Sequence, residues 1–188
     1  MDNLDYGIIG NCRSAALISK TGSIEWCCLP EFNSPSIFAK ILDTEIGGSF
    51  EILTDQEYTI TQNYIDDTSI LVTNYNNGRD HFAVIDFMPR YRKEKGGYLA
   101  PPEIIRYVKH LSGTPVFSIK YDPKLEYAKD ETVSYVKDDF IVSLTTSDKF
   151  DSLFLYSNFD KQKIANSEPI SFTSDGYFLL AYNEKIFL

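Results

Sequence analysis

The sequence predicts an all-β fold, a large antiparallel β-sandwich (a super-sandwich) with one short helix near residues 34–42, laid out as a single domain over residues 1–188. Three observations predict it. Short apolar runs recur along the whole chain with turn-forming residues between them, the pattern of strands joined by hairpins. Aromatic residues reach 14%, with 13 Tyr and 13 Phe, and such rings pack well on pleated surfaces. Hydrophobic residues make up 43% and charged residues 24%, a balance that can fill the core between two packed layers.

The elements follow in order. Residues 15–19 and 24–29 flank Lys20-Thr21-Gly22-Ser23 and read as a hairpin. The helix is expected at residues 34–42, where Ser34 can cap and Pro35 suits the first helical position. Ile37/Ile41 and Phe38/Leu42 are then i,i+4 pairs on one face, and Gly47-Gly48 closes the excursion. Residues 70–75 and 81–87 flank Asn76-Asn77-Gly78-Arg79, where Asn and Gly accept the positive φ of a tight turn. Residues 91–102 read as a long loop. Residues 104–110 and 116–121 flank Ser112-Gly113-Thr114-Pro115, and residues 133–136 and 140–144 flank Lys137-Asp138-Asp139. Residues 152–157 and 177–182 enclose a polar loop, and Phe187-Leu188 reads as part of a late strand.

Charge and composition exclude several function classes. The net charge is −9, and the densest basic stretch, Arg90, Arg92, Lys93 and Lys95, surrounds Glu94 beside two glycines. That is a solvated loop rather than a phosphate-binding surface, so nucleic acid is not an expected partner. No run is long and apolar enough for a membrane span. Residues 1–5 carry two acids and lack the basic start of a signal peptide. The three cysteines, Cys12, Cys27 and Cys28, are odd in number with two adjacent, which argues against a disulfide framework and for a cytoplasmic setting. They read as small hydrophobes packed in apolar strands.

The search for chemistry is mostly negative. His81 and His110 lie in separate predicted strands and read as satisfied or surface side chains. No metal-ligand spacing, phosphate loop or nucleophile elbow occurs, so neither a metal nor a cofactor is expected. Asp66-Asp67 and Asp138-Asp139 support turns, whereas Glu25, Glu31 and Asp86 adjoin apolar residues and suit a buried network or an interface. One cluster stands out: residues 26–35 join the only Trp, Trp26, to a Pro-bounded loop containing Pro30, Phe32 and Asn33. Sheet packing is the first reading of that cluster, domain docking the second and direct sugar contact the third.

These residues carry a resemblance. Tyr6-Gly7-Ile8-Ile9-Gly10-Asn11-Cys12-Arg13-Ser14, Gly22-Ser23-Ile24-Glu25-Trp26 and Leu29-Pro30-x-Phe32-Asn33-Ser34-Pro35 are similar to the opening of bacterial and archaeal members of glycoside hydrolase family 15, the glucoamylase and trehalase type. The similarity continues through Asn63-Tyr64-Ile65-x-Asp67-Thr68, Asp86-Phe87-Met88-Pro89, Ile105-Arg106-x-Val108 and Tyr121-Asp122-Pro123. Relatives often have Asp in place of Glu25 and of Asn33.

The resemblance implies a sandwich that precedes a catalytic (α/α)6-barrel. The barrel's two glutamates cleave α-glucosidic bonds of maltooligosaccharides, glucans or trehalose with inversion. No residue of this chain matches the barrel's motifs, so the resemblance assigns no catalytic residue here. The expected partner is the barrel, with α-glucosides at the domain junction and homo-oligomers open. Arg13, Trp26, Pro30, Phe32 and Asn33 are then expected to form a docking face near the active-site mouth. Asp86, at the end of its strand, is expected to hydrogen-bond a neighbouring loop. A stand-alone carbohydrate-binding sandwich and a structural interaction domain remain as alternatives.

Overall fold

Alternation along the strands sorts the side chains onto two facing sheets. The computed structural model describes residues 5–55, 57–146, 151–183 and 185–186; Phe187-Leu188, expected in a late strand, lies outside them. The first strands are β1 (Tyr6–Gly10), β2 (Ala15–Ser19), β3 (Ile24–Cys28), β4 (Ser36–Phe38), β5 (Ser49–Leu53) and β6 (Thr59–Tyr64). Next come β7 (Leu71–Asn76), β8 (His81–Phe87), β9 (Tyr91–Arg92), β10 (Tyr98–Leu99), β11 (Glu103–Ser112) and β12 (Val116–Asp122). The chain ends with β13 (Thr132–Val136), β14 (Phe140–Thr145), β15 (Ser152–Ser157), helix α1 (Lys161–Ala165), β16 (Ile170–Ser171) and β17 (Gly176–Tyr182).

A seven-stranded sheet runs β1-β2-β3-β5-β12-β16, with β4 joined to β3; an eight-stranded sheet runs β13-β14-β15-β17-β11-β8-β7-β6. Their inner faces bury Ile9, Ile18, Ile24, Phe50 and Ile119 against Phe82, Val84, Val108, Leu155 and Phe178. Rings dominate the contact. Tyr75 stacks on Phe82 at 4.5 Å, and Phe117 meets Phe159 and Phe172 at 5.4 and 5.1 Å. Such pairs add to the area term because ring edges and faces carry opposite partial charge. The antiparallel sandwich stands as expected.

The helix expected at residues 34–42 is not there. Ser36–Phe38 is instead a short buried strand, β4, hydrogen-bonded to β3 with Phe38 opposite Cys27. Leu42, placed on the apolar helix face by its spacing, is 79% exposed. A nine-residue helix gains little over its nucleation cost, whereas the edge of β3 offers partners at once. Gly47-Gly48 completes this arrangement by folding back: the Ala39 and Lys40 N–H groups donate to the Gly47 and Gly48 carbonyls at 2.7 and 3.1 Å. A Cβ on Gly47 would lie 2.3 Å from the Ala39 oxygen, so this approach requires glycine. The helix that does form is α1, in the polar loop before β17. Asp160 caps it, its Oδ1 accepting from the Gln162 and Lys163 N–H groups at 2.8 and 3.1 Å.

Two further expectations change. β11 and β12 do not form a hairpin: β11 pairs with β8 and β17, and β12 pairs with β5 in the opposite sheet. Ser112-Gly113-Thr114-Pro115 is thus a corner between layers, pinned where the Thr114 N–H donates to Asp80 Oδ1 at 2.9 Å. The long loop at residues 91–102 contains a small ribbon, β9 with β10.

Candidate functional site

Three polar or exposed arrangements compete as the site. The first is internal. Period-two alternation points Asp86 of β8 and Arg106 of β11 inward at opposed positions, and both are wholly buried. Arg106 Nε and Nη2 donate to the Asp86 carboxylate at 2.8 and 3.2 Å. Its Nη1 donates to the Phe50 carbonyl at 3.0 Å on the opposite sheet, and its Nη2 also to the Gly22 carbonyl in that sheet's β2–β3 turn. One guanidinium therefore joins the two layers. Burial pushes the Asp86 carboxyl up, against the downward pull of Arg106. This corrects the expectation for Asp86: its direct partner is a neighbouring strand, only Arg106 reaches a loop, and no part of it faces a docking partner.

The second arrangement lies at the end of the sandwich where β1 turns into β2 and β3 into β4. Arg13 donates through Nε and Nη2 to Glu31 at 3.2 and 3.0 Å and through Nη1 to the Ala100 carbonyl at 3.4 Å. Its own carbonyl accepts the Phe32 N–H at 3.1 Å. Asn11 fastens the turn from beneath: its Oδ1 accepts the Arg13 and Ser14 N–H groups at 3.0 Å each, and its Nδ2 donates to the Pro101 carbonyl at 3.0 Å. Leu29-Pro30 is a cis peptide that opens the second loop. Phe32 is left 55% exposed and Tyr98 57% exposed, and the Arg90 guanidinium lies 3.9 Å above the Tyr98 ring.

Arg13 is thus brought beside the loop that holds Pro30, Phe32 and Asn33, and the segment around Tyr98 joins them. Glu31, read as an interface candidate, is there too. Beside them Glu126, Tyr127 and Ala128 adopt positive φ in sequence, a costly backbone for non-glycine residues. Tyr127 is exposed and its hydroxyl donates to the Ser34 carbonyl at 3.5 Å.

Trp26 is placed elsewhere. Its register opposite Leu17, which in turn opposes Ile8, sets it on the outer face of the seven-stranded sheet rather than in the loop. Cys27 and Cys28 are buried as expected, and burial raises both thiols, Cys27 well above its ordinary range. Cys12 departs from the expected packing: it is exposed in the β1–β2 turn at a φ of 67°.

The third arrangement is a lattice of charge on that same outer face. Lys40 Nζ lies 2.8 Å from Glu51 and 3.7 Å from Glu25, Lys120 Nζ lies 3.3 Å from Glu51, and the Tyr6 hydroxyl donates to Glu25 at 2.5 Å. Burial acts to raise the Glu51 carboxyl, but the bonds from Lys40, Ser49 and Lys120 outweigh it and hold it below its ordinary range. Glu25 joins a network, as its setting among apolar residues suggested.

Chemically these groups brace the fold. A general acid for glycoside cleavage needs a raised carboxyl open to substrate. Asp86 is raised but sealed, whereas the carboxyls of Glu51, Asp80 and Asp175 are held low by their donors. Among the described residues no group of three or more His, Cys, Asp or Glu is gathered to hold a metal ion, and no helix is long and apolar enough to cross a membrane. Sequence reasoning missed Arg106. The signal was present: an arginine at an inward position of an apolar strand demands a buried acid, and Asp86 is the acid of the neighbouring apolar strand.

The fold defines a two-layer antiparallel sandwich domain with the exposed rings of Phe32, Tyr98 and Tyr127 near one end. The chain belongs to the trehalase-like N-terminal domain family, whose pattern its residues 5–161 match. It is 34% identical over 168 residues to a trehalase of Thermoplasma volcanium, covering 88% of this chain and 26% of that protein. Over 131 residues it is 37% identical to a trehalase of Thermoplasma acidophilum, covering 68% of this chain and 22% of that one. With trehalase 2 of Sulfolobus acidocaldarius it shares 30% identity over 183 residues, 97% of this chain and 29% of the relative. The chain thus spans about a quarter of the length of these curated relatives. No solved structure matches it.

Proposed function

We propose that this chain is the non-catalytic N-terminal domain of a trehalase-like hydrolase of the glycoside hydrolase family 15 type, acting on α-glucosidic bonds. Its partner is a catalytic (α/α)6-barrel, and the loop end bearing Arg13, Pro30, Phe32 and Asn33 shapes the mouth of that barrel's active site. The observation that carries this reading is the match to trehalases over only about a quarter of their length. Two features of the loop end support its role. Arg13, Glu31 and Asn11 hold three loops in one geometry, so the exposed Phe32 and Tyr98 rings are presented from a stiff base. Rigid aromatic anchors of this kind favour docking because little side-chain entropy is lost. Trehalose is the first substrate to test, since the relatives are trehalases.

The experiment is Phe32→Ala and Arg13→Ala in the longest natural chain that contains this domain, assayed for glucose release from trehalose and from maltotriose. The reading expects kcat/KM to fall about tenfold or more with the fold intact, equal to roughly 1.4 kcal/mol of lost transition-state binding. Unchanged kinetics in both variants would remove the loop end from the mouth. The exposed rings also fit a free-standing sugar-binding surface. That reading requires the 188-residue chain itself to bind α-glucosides, with no added sequence.

A further inference from the structure

Period-two register gives the eight-stranded sheet a second apolar face, opposite the core. Val72, Ile85, Tyr107 and Tyr177 oppose one another in a row across β7, β8, β11 and β17. A parallel row runs Phe87, Ile105, Leu179, Tyr156 and Phe140 across β8, β11, β17, β15 and β14. Their inward neighbours Ile104, Val108, Phe178 and Leu180 are completely or almost completely buried, whereas Ile85, Ile105, Tyr177 and Leu179 are half-buried and Tyr107 is exposed. Six strands at about 4.8 Å spacing make this face roughly 24 Å wide. Strands that are apolar on both sides belong to sheets covered on both sides.

The last described residues say where a cover would come from. After β17 the chain turns back onto this same face: the Ile186 N–H donates to the Tyr156 hydroxyl at 2.9 Å, and Lys185 Nζ lies 5.1 Å from the centre of the Phe140 ring. A groove of about 430 Å³ opens beside it, lined by Phe140, Tyr156, Tyr177 and Ile186 among others. Asp139, Ser157, Lys161 and Lys185 complete the groove's lining, and elsewhere on the face the Tyr107 hydroxyl donates to Asp175 at 2.5 Å and the His110 N–H to the same carboxylate at 2.8 Å. An apolar centre inside a polar rim is the anatomy of a docking surface.

We infer that the outer face of the eight-stranded sheet, centred on Ile105, Tyr107, Tyr177 and Leu179, is the seat of the sequence that follows this domain in its longer relatives. This rests on the reading of the chain as an N-terminal domain and adds the surface that carries most of the junction. The loop end meets the top of that face, because the Tyr182 N–H donates to the Pro102 carbonyl at 3.1 Å and Arg13 reaches the adjoining Ala100. Sheet face and loop end thus form one continuous contact.

The test places the photoreactive residue p-benzoylphenylalanine at position 107, 177, 53 or 32 of the longest natural chain found in source cells. Leu53 is the control, exposed on the outer face of the other sheet. Crosslinks from 107 and 177 to downstream peptides of the same chain, with none from 53, are expected. Intramolecular crosslinks from 32 alone would overturn this inference and leave the N-terminal-domain reading standing. Crosslinks between two chains from 107 would assign the face to a second copy and overturn it. A natural chain of 21.5 kDa, with no downstream sequence, would overturn both.

Discussion

The two sheets share one core but differ on their outer faces. In β5 of the seven-stranded sheet the alternation is clean: Phe50 and Ile52 point inward, and Glu51 points outward into the lattice with Lys40 and Lys120. In β11 of the eight-stranded sheet Ile105 and Tyr107 hold the middle outward positions, between Glu103 and Lys109, while Arg106 points inward. The inverted arrangement is informative. The buried charge joins the two layers, and the outward apolar groups are the ones proposed above to be covered. The short row Ile8–Leu17–Trp26 on the first sheet is the local exception beside its charged lattice.

The largest effect is expected from breaking the inward charge. Arg106→Met or Asp86→Asn leaves its partner buried without a counter-ion, a loss of about 3–5 kcal/mol in chemical denaturation of the isolated domain. Replacing both with apolar residues should recover much of it, since the pair's desolvation cost disappears together with the pair. A single variant as stable as the parent would mean that the sheets do not depend on this link.

The charged face should respond far less. Lys40→Ala removes two partly solvated ion pairs and should cost at most about 1 kcal/mol, less at high salt. Its pH response has a definite sign. Glu51, Asp80 and Asp175 have carboxyls held below their ordinary range: Glu51 against the upward push of burial, Asp80 chiefly by Arg79, Asp175 chiefly by Tyr107. Their stabilisation is therefore complete above the unfolded value, near pH 4, and is lost as pH falls through the depressed folded values. Thermal scans of Glu51→Gln against the parent between about pH 6 and pH 2 check this for Glu51; a stability difference that widens on acidification would contradict it.

The smallest effect is expected where the function is proposed to lie. Tyr107→Lys on the exposed apolar face, where the ammonium can take over the bond to Asp175, should change the isolated domain's stability by about 0.5 kcal/mol or less. A large loss there would mean the face is braced within the domain itself and needs no cover.

Much of this was legible in the residues. The turns at Gly22, Gly78 and Asp138-Asp139 marked three hairpins that form as read, β2–β3, β7–β8 and β13–β14. Ser36–Phe38 was not legible, because Ile37, Phe38, Ile41 and Leu42 satisfy helical spacing and only the free edge of β3 selects the strand. The β11–β12 turn looks like any hairpin turn; its corner role depends on Asp80, far away in sequence. At the site, Pro30, Phe32 and Asn33 share one short loop, and Arg13, from the β1–β2 turn, reaches it through Glu31 and the Phe32 N–H. Trp26 and Asp86 were misplaced because a bulge in β3 and the inward register of β8 decide which way they point. The outer apolar face needs the cross-strand register of six strands, which no single segment reveals.

The central claim is that chemistry lies outside these 188 residues. Glucose release from trehalose should be measured for the purified chain and for the longest natural chain containing it, at equal concentration. Release is expected from the longer chain, and none above buffer from the 188-residue chain. Sustained turnover by the short chain alone would contradict it.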